Sequence, residues 1–150
     1  MDLEKEIFTD KFENSYHKAA VNIIYTYGWL TDQLKKRLKS QDLTLQQFNI
    51  LRILRGQYPN PATVNLLKER MLDKMCDASR IVDRLIQKEF VTRCINKTDR
   101  RAVDIKINPK GLEMLKGLDH QMSGTDFLKD NLTEKEAEIL SKLLDKFRGY

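Results

Sequence analysis

Two pairs of arginines set the chemistry of this 150-residue chain. Arg80 and Arg84 stand four apart in DKMCDASRIVDRLIQ (residues 73–87), and Arg100 and Arg101 follow Asp99 in NKTDRR (residues 96–101). Guanidinium groups present planar forks of N–H donors that fit phosphate oxygens and the acceptor edge of guanine. The first pair sits on an amphipathic helical pattern. At about 100° per residue, Ala78, Ile81, Val82, Leu85 and Ile86 share one side, while Cys76, Arg80, Asp83, Arg84 and Gln87 share the other. The second pair sits in a polar loop between two strand patterns. Phe90 to Ile95 precedes it; after it Val103, Ile105 and Ile107 alternate with Asp104 and Lys106, the period-two pattern of a half-buried strand. A helix with a cationic outer face beside a hairpin with a cationic tip would place two probes in adjacent grooves of a duplex.

The same residues admit plainer readings. Arg80, Asp83 and Arg84 can form a solvated ion-pair ladder, and the charged turn can serve only to keep a hairpin soluble. Charge distribution helps to separate them. The formal net charge is +5, and between Pro59 and Asn108 eleven Lys/Arg stand against seven Asp/Glu, so most of the excess falls in this region. A positive surface favours polyanionic partners.

Other classes find little support. Two cysteines, Cys76 and Cys94, make neither a disulfide framework nor a zinc site, and the two histidines, His17 and His120, lie far from other ligand types. There is no Gly-rich phosphate loop, nucleophile motif or ligand cluster of an enzyme, and no cofactor is implied. The acidic start MDLEKE lacks the order of a signal peptide. The longest uncharged run, Ala19–Thr31, falls short of the roughly 20 residues needed to span a bilayer. A cytoplasmic protein without membrane partners is expected.

The remaining elements are those needed to hold the two probes. Residues 8–38 carry a helical pattern through Phe12, Tyr16, Ala19, Ile23, Tyr27, Leu30, Leu34 and Leu38, with a second apolar row of Val21, Ile24, Tyr25 and Trp29. Unbroken from about Asp10 to Lys39, that helix would be on the order of 45 Å long. So much apolar surface on one helix calls for a dimer partner; Tyr25, Tyr27 and Trp29 read as dimer core before they read as a ligand box. Gly28 would mark a kink or a close crossing. Thr44 with Gln47 has capping-box spacing and starts a helix from Leu45 to about Arg55, ended by Gly56. Pro59 and Pro61 mark a loop, and Thr63 caps a short helix to about Met71. Leu72–Met75 is then a turn before the amphipathic helix, which completes a helix-turn-helix layout. Asn108–Pro109 starts a helix carrying Leu112, Leu115, Leu118 and Met122. Thr133 with Glu136 caps a last helix whose stripe of Ile139, Leu140, Leu143, Leu144 and Phe147 is expected to be buried.

With these residues in view, the sequence resembles the MarR family of bacterial winged helix-turn-helix regulators over nearly its whole length. The resemblance is carried by LTLQQFNILRIL (43–54), SRIVDRLIQKEFVTR (79–93), the wing TDRRAVDIKI (98–107) and NPKGLEML (108–115). It implies a mainly α fold: a winged helix-turn-helix with a small two-stranded antiparallel wing, plus a helical dimerisation region from both termini. The chain would be one domain, with 43–108 binding DNA and 1–42 with 109–150 forming the dimer. Leu72 and Glu89 stand where the family often has glycine. Lys74 and Met75 stand near positions of small capping residues, which leaves Asp73 to cap. The reactive cysteine that redox-sensing members carry in the first helix has no counterpart, and the resemblance gives Cys76 no sensing role, although a helix N-terminus lowers a thiol's pKa.

In a helix-turn-helix the N-terminal part of the second helix enters the major groove. This selects Lys74, Cys76, Asp77, Ser79, Arg80 and Arg84. By resemblance Arg101 is the minor-groove arginine, beside Arg100, and Asp99 holds its guanidinium; Thr63 and Lys97 are assigned to phosphate. The expected function is a homodimeric regulator, a repressor of a pseudo-palindromic operator on double-stranded DNA. The family adds a small aromatic or anionic effector, for which no ligand residues are assigned. The alternative is a winged-helix module that docks protein through Arg80–Gln87.

Overall fold

The computed structural model describes residues 2–96, 103–122 and 126–150. The chain forms two compact units, Met1–Phe48 and Asn49–Tyr150.

In the first unit a four-residue helix α1 (Leu3–Glu6) precedes the long α2 (Ser15–Leu38). The expected helix from about Asp10 starts five residues late. Asn14 is extended and its side chain accepts from the His17 N–H at 2.9 Å, so the first turn is capped there. The 24 residues of α2 therefore span about 36 Å rather than 45 Å. Polar contacts tie α1 to α2. Lys18 pairs with Glu4, and the Tyr25 hydroxyl donates to Glu6 at 2.8 Å. His17 is satisfied locally, its Nδ1 accepting from the Glu13 N–H. Helix α2 runs through Gly28 without a break, and nothing stands within 4 Å of the place a Cβ would take. The close crossing expected at Gly28 is therefore not found among the described residues. Tyr16, Ile24 and Tyr27 lie on the surface; Ile24 is 72% exposed. After α2 a 3-10 turn (Lys39–Gln41) and Asp42 in the left-handed region lead to Leu43.

Helix α3 (Leu45–Gln57) starts at the expected capping box: the Gln47 N–H donates to Thr44 Oγ1 and the Thr44 N–H to Gln47 Oε1, each at 3.1 Å. It continues through Gly56, which therefore does not end it.

The core of the second unit gathers Ile50, Leu51 and Leu54 of α3 with Leu67, Met71, Ala78, Val82, Leu85, Val91, Ile105, Ile107, Leu115 and Leu118, all buried. Its sheet has three strands in the order β1 (Ala62–Thr63), β3 (Val103–Ile107), β2 (Val91–Ile95), all antiparallel. The hairpin expected from the sequence is thus joined by a two-residue strand whose Ala62 pairs with Ile105. This makes β3 central, and the burial pattern follows. Asp104, expected outward, is buried between Thr63 and Cys94 and accepts from the Asn96 amide at 2.9 Å. Val103, expected inward, is 43% exposed because no core reaches that end of the strand. Cys94 is exposed.

Helix α4 (Val64–Arg70) is capped by Thr63, whose side chain accepts from the Leu66 N–H at 3.1 Å. The turn that follows is anchored by Asn49, which accepts from the Leu72 N–H at 3.0 Å. Helix α5 (Ala78–Gln87) then presents Ala78, Val82 and Leu85 to the core. Helix α6 (Pro109–Met122) buries Leu115 and Leu118, and Arg55 reaches Asp119 at 2.8 Å. A short α7 (Asp126–Lys129) leads to α8 (Glu134–Phe147), which carries the predicted Thr133–Glu136 capping box. The apolar stripe of α8 is not buried, contrary to expectation. Ile139, Leu140, Leu143 and Phe147 are all exposed, Leu143 by 57%, because the described chain supplies no surface to cover them.

Candidate nucleic-acid interface

The turn and α5 carry the first group of candidate interface residues. Asp73 was expected to cap α5, but its carboxylate accepts from the Met75 N–H at 3.1 Å and so shapes the turn. Asp77 is the cap, accepting from the Arg80 N–H at 3.2 Å. The helix therefore begins at Ala78, and Lys74 and Cys76 precede it rather than lying on it. The Lys74 ammonium folds back to the Glu69 carbonyl at 2.5 Å, near the C-terminal end of α4, where a cation meets the negative end of the helix dipole.

Cys76 is partly buried, its thiol within 2.9 Å of the Asp73 carbonyl and 3.3 Å of Met71 Sδ. Burial and then the Asp73 carboxylate push the thiol above its ordinary value. The lowered pKa expected of a thiol in the first turn of a helix is therefore not found, since Cys76 lies outside the helix and beside a carboxylate.

Within α5, Ser79, Arg80, Asp83, Arg84 and Gln87 form the exposed face. The ion-pair ladder considered above is not formed. Asp83 pairs with Arg93 on β2, and neither Arg80 nor Arg84 forms an ion pair among the described residues. Arg93 is the residue that sequence reading missed; its signal was strand parity, which puts it on the same side of β2 as Val91.

The C-terminal end of α5 sets the entry to the hairpin. The Phe90 N–H donates to the Leu85 carbonyl at 3.0 Å and the Glu89 N–H to that of Ile86 at 2.9 Å, the two bonds of a Schellman motif. Glu89 holds the left-handed position of that motif at φ 60°, where glycine is the usual occupant. Its side chain meets Lys110 at 2.8 Å, which holds the Glu89 carboxyl below the usual carboxylate range. Asn108 then bonds the Phe90 carbonyl through its N–H and the Glu89 carbonyl through Nδ2, and accepts from the Gly111 N–H through Oδ1.

Thr63 lies in β1 with its side chain engaged as the α4 cap. Lys97, Asp99, Arg100 and Arg101 lie outside the described residues. The described strands β2 and β3 pair in register from Val91–Ile107 to Ile95–Val103.

A helix-turn-helix thus precedes a paired antiparallel hairpin, and its second helix exposes Arg80 and Arg84. The MarR family model matches residues 43–103. The multiple antibiotic resistance protein MarR of Salmonella typhimurium is 31% identical over 128 residues, 83% of this chain and 87% of that protein. The chain belongs to the MarR family. It is a DNA-binding winged-helix regulator of transcription. The regulator MhqR of Bacillus subtilis is 26% identical over 131 residues, covering 86% of this MarR family chain and 88% of its own. Among solved structures, a mutant MarR of Escherichia coli complexed with operator DNA is similar with a TM-score of 0.70 and 28% identity, over 97% of this chain and 98% of that one. Among the described residues of this MarR family member no helix is long and apolar enough to cross a membrane.

Tyr25 spends its hydroxyl on Glu6, and Tyr27 is on the surface. A groove of about 390 Å³ in the first unit is instead charged, with Lys35, Lys36 and Lys39 beside Asp32 and Asp42.

Proposed function

We propose that this MarR family protein is a cytoplasmic homodimeric repressor that binds a pseudo-palindromic operator and is released from it by a small-molecule effector. The observation that carries the DNA reading is the free face of α5, where Arg80 and Arg84 are exposed at i,i+4 without a carboxylate partner among the described residues. Two like charges at that spacing repel each other. That arrangement suits a helix whose charges are completed by an anion outside the chain. In this reading Arg80 or Arg84 makes a bidentate contact to guanine, worth about 1–3 kcal/mol in discrimination. Ser79 adds a hydroxyl near the groove floor, while Asp77 and Lys74 act by shaping the helix start. Cys76 packs beneath the same turn.

Resemblance assigns Arg101, beside Arg100 in the wing, to the minor groove with Asp99 as its holder, and Lys97 and Thr63 are read as phosphate contacts. Arginine suits a narrow minor groove because narrowing concentrates negative potential.

Support for the dimer comes from α2 and α8, whose exposed apolar rows are of the kind that a second copy covers. A two-fold axis would set recognition helices about 34–36 Å apart, one turn of duplex. The solved MarR–operator DNA complex supports the operator reading by its 28% identity to this chain. An effector of aromatic or anionic type is carried over from the family alone.

Selection of bound duplexes from a random pool, followed by titration in salt, tests the reading. A specific binder returns a two-fold symmetric site and loses affinity with a log–log slope near −0.9 per phosphate neutralised. Arg101→Ala and Arg84→Ala should each weaken the selected site while leaving the dimer intact. Equal weak binding to every duplex, indifferent to Arg101→Ala, would leave the protein-docking alternative in its place.

A further inference from the structure

Asp83 stands on the free face of α5, three residues after Arg80 and one before Arg84. At i,i+3 its carboxylate is within reach of the Arg80 guanidinium. That contact would convert a cationic face into a self-neutralised one. In the structure the carboxylate is occupied from the other side, because Asp83 Oδ1 accepts from Arg93 Nη2 on β2.

Strand parity explains why Arg93 can do this. Val91 and Arg93 share one face of β2, and they pair in register with Ile107 and Ile105 of β3. Val91, Ile105 and Ile107 are buried, so this is the face on which the helices pack. Arg93 therefore leaves the sheet on the α5 side, one pleat beyond the buried Val91. Both side chains of the pair are 52% exposed, so its contribution to folding is small. Its effect falls on the charge pattern of α5.

We propose that Arg93 is a positioning residue for DNA recognition. By holding Asp83, it keeps Arg80 free to contact DNA. This rests on the reading of α5 as the recognition helix.

The test uses the full chain and two duplexes of equal length, one selected with wild-type protein from a random pool and one unrelated. Arg93→Gln keeps the aliphatic stem and removes the charge. It should weaken binding to the selected duplex by about 5- to 10-fold, the lower part of what one arginine–guanine contact gives. The ratio between selected and unrelated duplexes should fall with it. Placed on Asp83→Asn, the same Arg93→Gln change should cost less than about twofold, since no carboxylate remains to capture Arg80. The charge-matched control Arg93→Gln/Glu113→Gln, altered on α6 instead, should stay as weak as the single variant.

An equal cost with and without Asp83 overturns the proposal. If that cost comes with an unchanged selected-to-unrelated ratio and a salt slope reduced by about one, Arg93 is a phosphate contact in its own right. Recovery by Glu113→Gln overturns it as well, by reducing the effect to net charge. Failure of the wild-type chain to distinguish the two duplexes removes the DNA reading beneath it, an outcome seen before any variant is made.

Discussion

A Cβ added to Gly111 would lie 2.4 Å from the carbonyl oxygen of Phe90 and 2.8 Å from a γ-carbon of Ile107. Glycine at this position lets the first turn of α6 close over the exit of α5. The Phe90 oxygen is backbone and already accepts from the Asn108 N–H, so it cannot swing aside as a flexible side chain would. Gly111→Ala should therefore destabilise the fold by about 2–3 kcal/mol, the upper range for overpacking. Urea denaturation with an unchanged m-value checks this. Wild-type stability in the variant would mean that α6 shifts freely away from Phe90.

Glu89 presents the reverse case. A non-glycine residue at φ 60° pays a steric cost of roughly 1–2 kcal/mol, offset in a glycine variant by the greater freedom of the unfolded chain, about 0.5–1 kcal/mol. The Lys110 pair that would be lost is exposed and contributes little. Glu89→Gly should raise stability by up to about 1 kcal/mol, seen as a higher melting temperature. A lower one would show that the Lys110 contact outweighs the strain.

Asp77→Ala removes the side-chain acceptor of the Arg80 N–H and should cost about 1 kcal/mol, as for other N-caps. Asp73→Ala, by contrast, loosens the preceding turn without uncapping α5. Hydrogen exchange of the first-turn amides separates the two: faster exchange at Arg80 is expected for Asp77→Ala alone.

Leu143→Asp places a charge on a position that is already exposed in the single chain, so folding of the chain should be spared. A charge buried unpaired at a dimer interface is strongly unfavourable. Light scattering should show the wild-type mass of two chains falling to one, with helical content retained. A dimer unaffected by this change would place the contact surface elsewhere than α8.

What was legible in the sequence was mostly what is held by neighbours along the chain. Thr44 with Gln47, Thr63, Asn108, and Thr133 with Glu136 each cap the helix that their spacing predicted. The inward row of α5 was legible for the same reason, since its period follows from helix geometry alone. The start of α5 was not, because Asp73 and Asp77 are chemically identical caps and only the fold of the turn selects between them. Strand β1 was also out of reach: two residues have no period, and Ala62–Thr63 is a strand only because Ile105 and Asp104 lie opposite. Amphipathicity told correctly that α8 has an apolar face but not that the described chain would leave it exposed. For the candidate interface, the exposure of Arg80 and Arg84 was legible from the helical wheel. Their release from Asp83 was not, since it depends on a strand residue ten positions on, whose side is set by the register of β2 on β3.

The bonds of Asn108 have a mechanical consequence. This one side chain and its amide join the last two backbone carbonyls after α5 to the first turn of α6. Among the described residues α5 and α6 are therefore joined at one point by three hydrogen bonds. One side chain thus fastens two helix ends, and its loss would loosen both together.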